Sequence, residues 1–514
     1  MELQVIQGAF PLLSIIVAVP AVVALILGLV PALRQYGRQI AFWTSLVVLG
    51  LIIWAAFLFD WASSSVFQLV ESTYWIRPLG ITWSMGVNGL GMVMLLLAGV
   101  LVPLVLVATP KGDPRREGGY AALILTLYVF IIIIFGAFDL VLFYLAFEAM
   151  LVPLYFMIGR YGTGENRSRA AMKFLIYSLV GGLAMLGGLV TIFAYGGSQN
   201  GTLFRYDILA LMLPTGGVGF QMTVFITLFI AFAIKAPMVP VHTWLPDTAA
   251  AARPGTSVLL VGVLDKIGTY GMIVLLLNFV PGAAWQARWT ILILAVISIL
   301  WGGFAANGQK NLLRLVSFTS IAHFGFMVLG IFVGSQIALT GAMFYMAAHG
   351  LSVAALFFIS GFLIERGGSA SIDAYGGMQR VTPVLAGTWL IAGLATIALP
   401  GLSGFVPEFL VLMGTWQVSV ALAIFAVFGV VLAAMYILLP YQKMFTGPKK
   451  ERLVGIRDLN VREKLVVTPL IIGMLLLGIW SAPLVESMSQ VATSTETGMT
   501  ISELSEMLTS GEGN

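Results

Sequence analysis

The chain contains no cysteine. Disulfide bonds, cysteine-ligated iron–sulfur clusters and a thiol nucleophile are therefore excluded. Charge is scarce: Asp, Glu, Lys and Arg make up 9% of its 514 residues, against about 25% in an ordinary soluble domain. Histidine is rarer still, at three residues. There is no HExxH pair, no Walker phosphate loop, no dinucleotide-binding GxGxxG between strand and helix, and no Ser/His/Asp set on a supporting fold. No metal site and no resident cofactor is expected on this chain. The 57 glycines suit close helix packing and broken helices rather than phosphate cradling. The pI near 9.2 does not indicate nucleic acid, because basic residues in so apolar a chain act as topology signals.

What the chain has in abundance is hydrophobicity, at 60% of residues. Counting apolar runs of the length that crosses a bilayer predicts an all-α polytopic membrane protein with about 14 transmembrane helices. The first is centred near Pro20 and the last near Met474; those near Phe130 and Ala146 are separated only by the turn Gly136-Ala-Phe-Asp139. No cleavable targeting segment is expected, since Glu2 opens the chain and the first apolar run ends in Arg34 and Arg38. With the N-terminus outside, 21 of the 26 Lys and Arg fall in or beside inside loops. Arg77, Arg205 and Arg288 lie outside, and Lys235 and Lys266 within the membrane. That asymmetry predicts an even number of spans with both termini outside, and a solvated polar tail from Thr493 to Asn514.

Two segments break the rules for a membrane helix in the same way: Phe232-Ala-Ile-Lys-Ala-Pro-Met-Val-Pro240 and Leu399-Pro-Gly-Leu-Ser-Gly-Phe-Val-Pro-Glu408. Each interrupts an apolar stretch with Pro or Gly and carries one ionisable residue, Lys235 or Glu408. A charge at bilayer depth costs roughly 2.5–3.5 kcal/mol on insertion scales, and broken backbone there survives only under protein or beside a water-filled cavity. Paired breaks in corresponding halves point to a transport site. The expected organisation is three leading helices (1–118), a five-helix repeat broken at Lys235 (119–280), an inverted five-helix repeat broken at Glu408 (281–446), and a final segment (447–514) holding a basic inside loop, the last helix and the polar tail.

The remaining ionisable residues at depth are candidates for proton transfer. Glu148 lies eight residues past Leu140, or roughly 12 Å along a helix at 1.5 Å per residue. Carboxylates within spans usually mark ion or proton pathways. Pro237 and Pro240 remove backbone donors beside Lys235, and a lysine in such surroundings can exchange a proton near neutral pH. Lys266 lies on the next span, where neighbouring Asp265 points about 100° away on a helix; Asp265 divides evenly between a functional and a structural reading. His323 and His349 sit within spans and suit proton relay. His242, nearer the inner surface, reads better as structural.

Six stretches together resemble the antiporter-like membrane subunits of respiratory complex I, most closely the M type, over nearly the whole chain. They are Phe147-Glu-Ala-Met-Leu-Val-Pro-Leu-Tyr-Phe156, Ile234-Lys-Ala-Pro-Met-Val-Pro-Val-His-Thr-Trp-Leu-Pro-Asp247, Ser257-Val-Leu-Leu-Val-Gly-Val-Leu-Asp-Lys-Ile-Gly-Thr-Tyr-Gly271, Ser317-Phe-Thr-Ser-Ile-Ala-His-Phe-Gly325, His349-Gly-Leu-Ser-Val-Ala-Ala-Leu-Phe-Phe358 and Leu399-Pro-Gly-Leu-Ser-Gly-Phe-Val-Pro-Glu-Phe409. The resemblance implies that Glu148 pairs with Lys235, that Lys266 is the central lysine of a proton path with His323 beside it, and that Glu408 is the residue through which protons leave. A lysine at that last position would suit the N and L types, and the L type also carries a long C-terminal lateral helix. The chain departs from the family at Asp247-Thr-Ala249, where Asp-Ala-His is frequent, at Arg253-Pro254, and at Asn88, where Asp is frequent.

The resemblance further implies a proton-translocating subunit of NADH–quinone oxidoreductase in a bacterial cell membrane. FMN, iron–sulfur clusters and quinone belong to partner subunits, and L-type and N-type subunits are the neighbours within the lipid bilayer. The rival readings are a subunit of a multisubunit sodium/proton antiporter and a membrane scaffold without transport.

Overall fold

The structure is a computed structural model and describes residues 3–109, 112–164 and 166–495. The expected solvated tail beyond 495 lies outside the described residues. Helices dominate the described residues, with one exception that hydrophobic counting does not reveal. The polar connection 60–88 forms two antiparallel strands, β2 (Phe67–Ile76) and β3 (Ile81–Val87), and β1 (Val5–Gln7) adds to β2 in parallel. The β2 sequence is rich in β-branched and aromatic residues, which favour a pleated surface. Gly80 takes φ +72° at the turn, and a Cβ there would fall 2.6 Å from that of Leu203.

The helices follow in order: α1 (Leu12–Leu29), α2 (Gly37–Leu58), α3 (Gly89–Ala108), α4 (Pro114–Gly136), α5 (Leu140–Ala149), α6 (Leu151–Gly159), α7 (Arg167–Gly196), α8 (Tyr206–Met212), α9 (Val218–Lys235) and α10 (Trp244–Ala251). Then come α11 (Pro254–Leu259), α12 (Lys266–Gly271), α13 (Pro281–Asn307), α14 (Leu312–Phe332), α15 (Gln336–Gly367), α16 (Pro383–Thr396), α17 (Phe405–Val418), α18 (Val420–Phe445) and α19 (Val461–Ile479). The last helix is α20 (Ala482–Thr495), bent 71° from α19. Among the described residues twelve helices, counting continuous runs such as α5–α6 and α11–α12 as one each, are long and apolar enough to cross a bilayer, and α19–α20 supply a thirteenth. The remaining expected span is divided between α16 and α17, on either side of the second break.

Short polar side chains start several of these helices by accepting from otherwise unpaired amides. Asp139 accepts from the amides of Val141 and Leu142, and its other oxygen from Thr82, which ties the α4–α5 turn to β3. Asn88, at the position where the family often has Asp, accepts from the amide of Gly91 and caps α3 as an Asp would.

Burial separates the bundle into a rim and a core. The membrane-crossing stretches of α11–α12 and α14 are fully buried and that of α15 nearly so, whereas much of α7 is exposed. On the rim, Leu29, Phe57 and Leu183 are exposed, as suits helices facing lipid. The core is dense: a Cβ on Gly302 of α13 would fall 2.6 Å from the amide nitrogen of Ala322 on α14, the close backbone approach small residues permit in membranes.

At one end of the bundle Arg253 donates to both carboxylate oxygens of Glu117, at 2.7 and 3.1 Å, and to the carbonyl of Tyr161 at 2.8 Å. Its guanidinium lies 4.7 Å from the Tyr120 ring centroid. The pair is largely buried and joins α4 to the start of α11. Removing one partner of a buried pair costs on the order of 3–5 kcal/mol. Glu117→Ala is therefore expected to lower the melting temperature in detergent by several degrees, and E117A/R253M by less; an unchanged melting temperature for E117A would contradict the assignment.

Candidate functional site

The first break follows Lys235, in the last turn of α9. The chain then runs through Ala236–Thr243 without regular structure before α10. The backbone freed by the break finds partners inside the protein. Trp244 Nε1 donates to the carbonyl of Ile234 at 3.0 Å, the Met238 amide to the carbonyl of Ala233 at 3.1 Å, and the Val239 amide to Ser298 Oγ at 2.9 Å. His242 accepts from Trp301 Nε1 at 3.0 Å, in keeping with a structural role. The second break, residues 397–404, places Glu408 in the first turn of α17. Gly404 lies where a Cβ would be 2.1 Å from the carbonyl oxygen of Ala395.

Lys235 is 1% exposed, and its Nζ has no hydrogen-bond partner. It sits 5.3 and 5.2 Å from the ring centroids of Phe147 and Phe174, within cation–π range. Glu148 is the residue after Phe147, yet the two charges are not joined. Among the described residues neither makes an ion pair within 4.0 Å, and Glu148 Oε1 is also buried without a partner. The carboxyl is turned against Gly182 of α7, where a Cβ would fall 1.6 Å from Oε1. Glu148 and Lys235 thus face each other as charges without a hydrogen bond between them. The aromatic pair holds the ammonium and Gly182 leaves room for the carboxyl elsewhere, although the two remain within Coulombic reach.

Lys266 opens α12, between the π-helical segments Leu260–Leu264 and Met272–Leu277. Such wide turns recur at functional sites. Its Nζ donates to the carbonyl of Val261 at 2.6 Å and lies 2.9 Å from His349 Nδ1. His349, rather than His323, is therefore the histidine bonded to Lys266. The His323 ring stands next, its centroid 5.3 Å from that of His349. His323 Nδ1 lies 2.7 Å from the Tyr345 hydroxyl, which donates to Glu408 Oε2 at 2.7 Å. Since Tyr345 has one proton and gives it to Glu408, His323 Nδ1 is the donor in the preceding bond. The other nitrogen, Nε2, then accepts from Tyr436 at 3.3 Å. All six of these side chains are buried.

The structure thus brings Lys266, His349, His323 and Glu408 into one continuous cluster, and leaves Glu148 and Lys235 as a second cluster one helix away. Sequence reasoning missed Tyr345 and Tyr436. Tyr345 lies four residues before His349, which puts both on one face of α15; that spacing was the available signal. Nothing in the α18 sequence marks Tyr436.

Residues 137–433 match the family model described as NADH:quinone oxidoreductase/Mrp antiporter, TM. NADH-quinone oxidoreductase subunit M of Mycobacterium tuberculosis is 39% identical, across 95% of this chain and 94% of that protein. The chain belongs to the M-subunit family of NADH-quinone oxidoreductase. A second M subunit, from Rhodobacter capsulatus, is 36% identical across 91% of this chain and 93% of its own length. Among solved structures, a chain of respiratory complex I from Thermus thermophilus with bound NADH superposes with a TM-score of 0.85 at 29% identity, covering 95% of this chain and 99% of that one. A chain of the Mrp complex from Dietzia shares the fold alone, at a TM-score of 0.84 and 19% identity over 96% of this chain and 99% of that one. The M subunit is accordingly a multi-pass membrane protein.

The half-helix after the first break is clamped from outside. Asp247 of α10 accepts from Lys173 of α7 at 2.7 Å and from Arg314 of α14; Lys173 also donates to the Thr243 carbonyl at 2.7 Å. Burial alone would raise the Asp247 pKa, but the hydrogen bonds and charges of Lys173 and Arg314 outweigh it and hold the pKa below the usual value. A depressed folded-state pKa contributes stability above the unfolded value of about 3.9, lost as pH falls through the folded one. Asp247→Asn should therefore lower the melting temperature equally at pH 6 and pH 8, with the difference from the parent protein shrinking below about pH 4.

Proposed function

We propose that this chain is the proton-translocating M subunit of an NADH–quinone oxidoreductase. Protons move through its buried Glu, Lys, His and Tyr side chains, and the redox chemistry resides in partner subunits that hold FMN, iron–sulfur clusters and quinone. Other membrane subunits, of the L and N types, are its neighbours in the bilayer. The observation that carries this reading is the buried series from Lys266 and His349 to His323, Tyr345 and Glu408, in which each exchangeable group stands against the next. The 39% identity to a subunit M favours it over a sodium/proton antiporter, whose solved Mrp chain is 19% identical.

The roles follow from position. Glu148 and Lys235 form the receiving pair, close enough for each charge to stabilise the other without a hydrogen bond locking them. Lys266 is the central carrier and hands its proton to His349. From there the rings of His349 and His323 lie side by side, and Tyr345 links His323 to Glu408. A proton arriving on His323 Nε2 lets Nδ1 release its proton to the Tyr345 oxygen as Tyr345 releases its own to Glu408, so each bond formed is matched by one broken. Residues 119–280 and 281–446 are the two inverted halves of this path, consistent with the helix order, and the distribution of basic residues supports both termini lying outside.

In the assembled complex in membrane vesicles, Lys235→Ala, Glu148→Gln and Tyr345→Phe should each slow proton transfer through this chain by about 100-fold, the lower range for loss of a positioned acid–base group. NADH–quinone turnover in the presence of an uncoupler should persist. Pumping at the parental ratio of protons to electrons in the Lys235→Ala complex would overturn the reading.

A further inference from the structure

One charged residue at the centre of the protein has no part in the path as described. Asp265 is fully buried, and both of its carboxylate oxygens lack a hydrogen-bond partner. It sits at the junction of the first π-helical segment and α12, directly before Lys266. A buried carboxylate left without any partner is costly, so its presence calls for a use.

The packing of α12 defines what Asp265 faces. Gly268, three residues on and therefore on the same helical face, is pressed against the end of α9. A Cβ there would fall 2.4 Å from the amide nitrogen of Ala236 and 2.5 Å from the carbonyl oxygen of Phe232. Lys235 lies between those two residues in the chain. The Lys266 side chain leaves about 100° away and ends on His349 of α15. The dipeptide Asp265-Lys266 thus faces the first cluster with its acid and the second with its base. Asp265 also lies within electrostatic reach of both lysines.

We propose that Asp265 is the proton carrier that joins the two halves of the path, a deepening that rests on the translocation reading above. In the first transfer the Lys235 ammonium gives a proton to the Asp265 carboxylate, leaving a neutral amine and a neutral acid. In the second the Asp265 acid gives that proton to the neutral Lys266 amine, and the carboxylate is restored. Lys266 then passes a proton to His349. One N–H or O–H bond breaks for each that forms, and no co-reactant is needed. The four-carbon lysine stems supply the reach that the short Asp side chain lacks. Between transfers Asp265 offsets the charge of whichever lysine is protonated, so the proton never crosses the middle of the bilayer as an uncompensated cation.

The test uses the assembled complex in membrane vesicles, with protons pumped per electron as the first readout. Asp265→Asn should fall about 100-fold in proton transfer, to the level of Lys235→Ala and Lys266→Ala, whereas Asp265→Glu, which keeps the carboxyl, should retain transfer. Infrared difference spectra on NADH addition supply the second readout. A protonated-carboxyl band should be present in the parent complex, shift in D265E and vanish in D265N. If D265N does not assemble, Asp265→Ser gives the same comparison. Parental pumping in D265N beside lost pumping in K235A and K266A would overturn the role of Asp265 and leave the translocation reading intact. Parental pumping in all three would overturn both.

Discussion

The bilayer interior offers no water to a polar group, and the whole architecture answers to that constraint. Every broken stretch of backbone at depth must find its partners within the protein. At the first break Trp244, Ser298 and the Ala233 carbonyl serve this purpose. The same constraint explains why the charged residues do not lie on the rim. Lys266, His323 and His349 sit on α12, α14 and α15, the most buried spans of the bundle, with the other apolar helices around them.

The two breaks carry opposite charges for a reason of helix polarity. Lys235 ends the half-helix that precedes its break, and Glu408 begins the half-helix that follows its break. A cation at a helix C-terminus and an anion at an N-terminus are each favoured by about 0.3–1 kcal/mol, and up to about 2 kcal/mol when partly buried. The same interruption of a span therefore suits a lysine on one side and a glutamate on the other. Replacing Glu408 by a lysine at its present position would set a cation against the positive end of α17, beside a Tyr345 hydroxyl now donating toward it.

Much of this was legible in the sequence because it depends on local chemistry. The breaks announce themselves through Pro and Gly beside Lys235 and Glu408, and the spans through runs of apolar residues. Contacts between helices distant in sequence leave no such mark. Tyr345 and Tyr436 read as ordinary aromatic residues in apolar spans, and only folding places their hydroxyls on His323 and Glu408. The seat of Glu148 depends on the missing side chain of Gly182, 34 positions away in the chain, which no local pattern could connect to it. The β2–β3 hairpin was passed over because polar residues interleave with its aromatic ones, so a count of hydrophobic runs registers only a connection.

The two halves of the path differ in how their groups are held, and the difference bears on where energy enters. From His323 onward the groups are hydrogen-bonded, so a proton can advance by exchange along existing bonds with little side-chain travel. Glu148, Lys235 and Asp265 have no such bonds. Lys235 rests against aromatic rings and Glu148 against a glycine, contacts that are soft and cost little to change. A bonded group is anchored by partners whose loss would leave buried polar atoms unsatisfied, at about 1–3 kcal/mol each. An unbonded group moves without that loss. A conformational change delivered by a neighbouring subunit would therefore do its work on Glu148, Lys235 and Asp265, while the Tyr345–Glu408 end responds to the proton it receives.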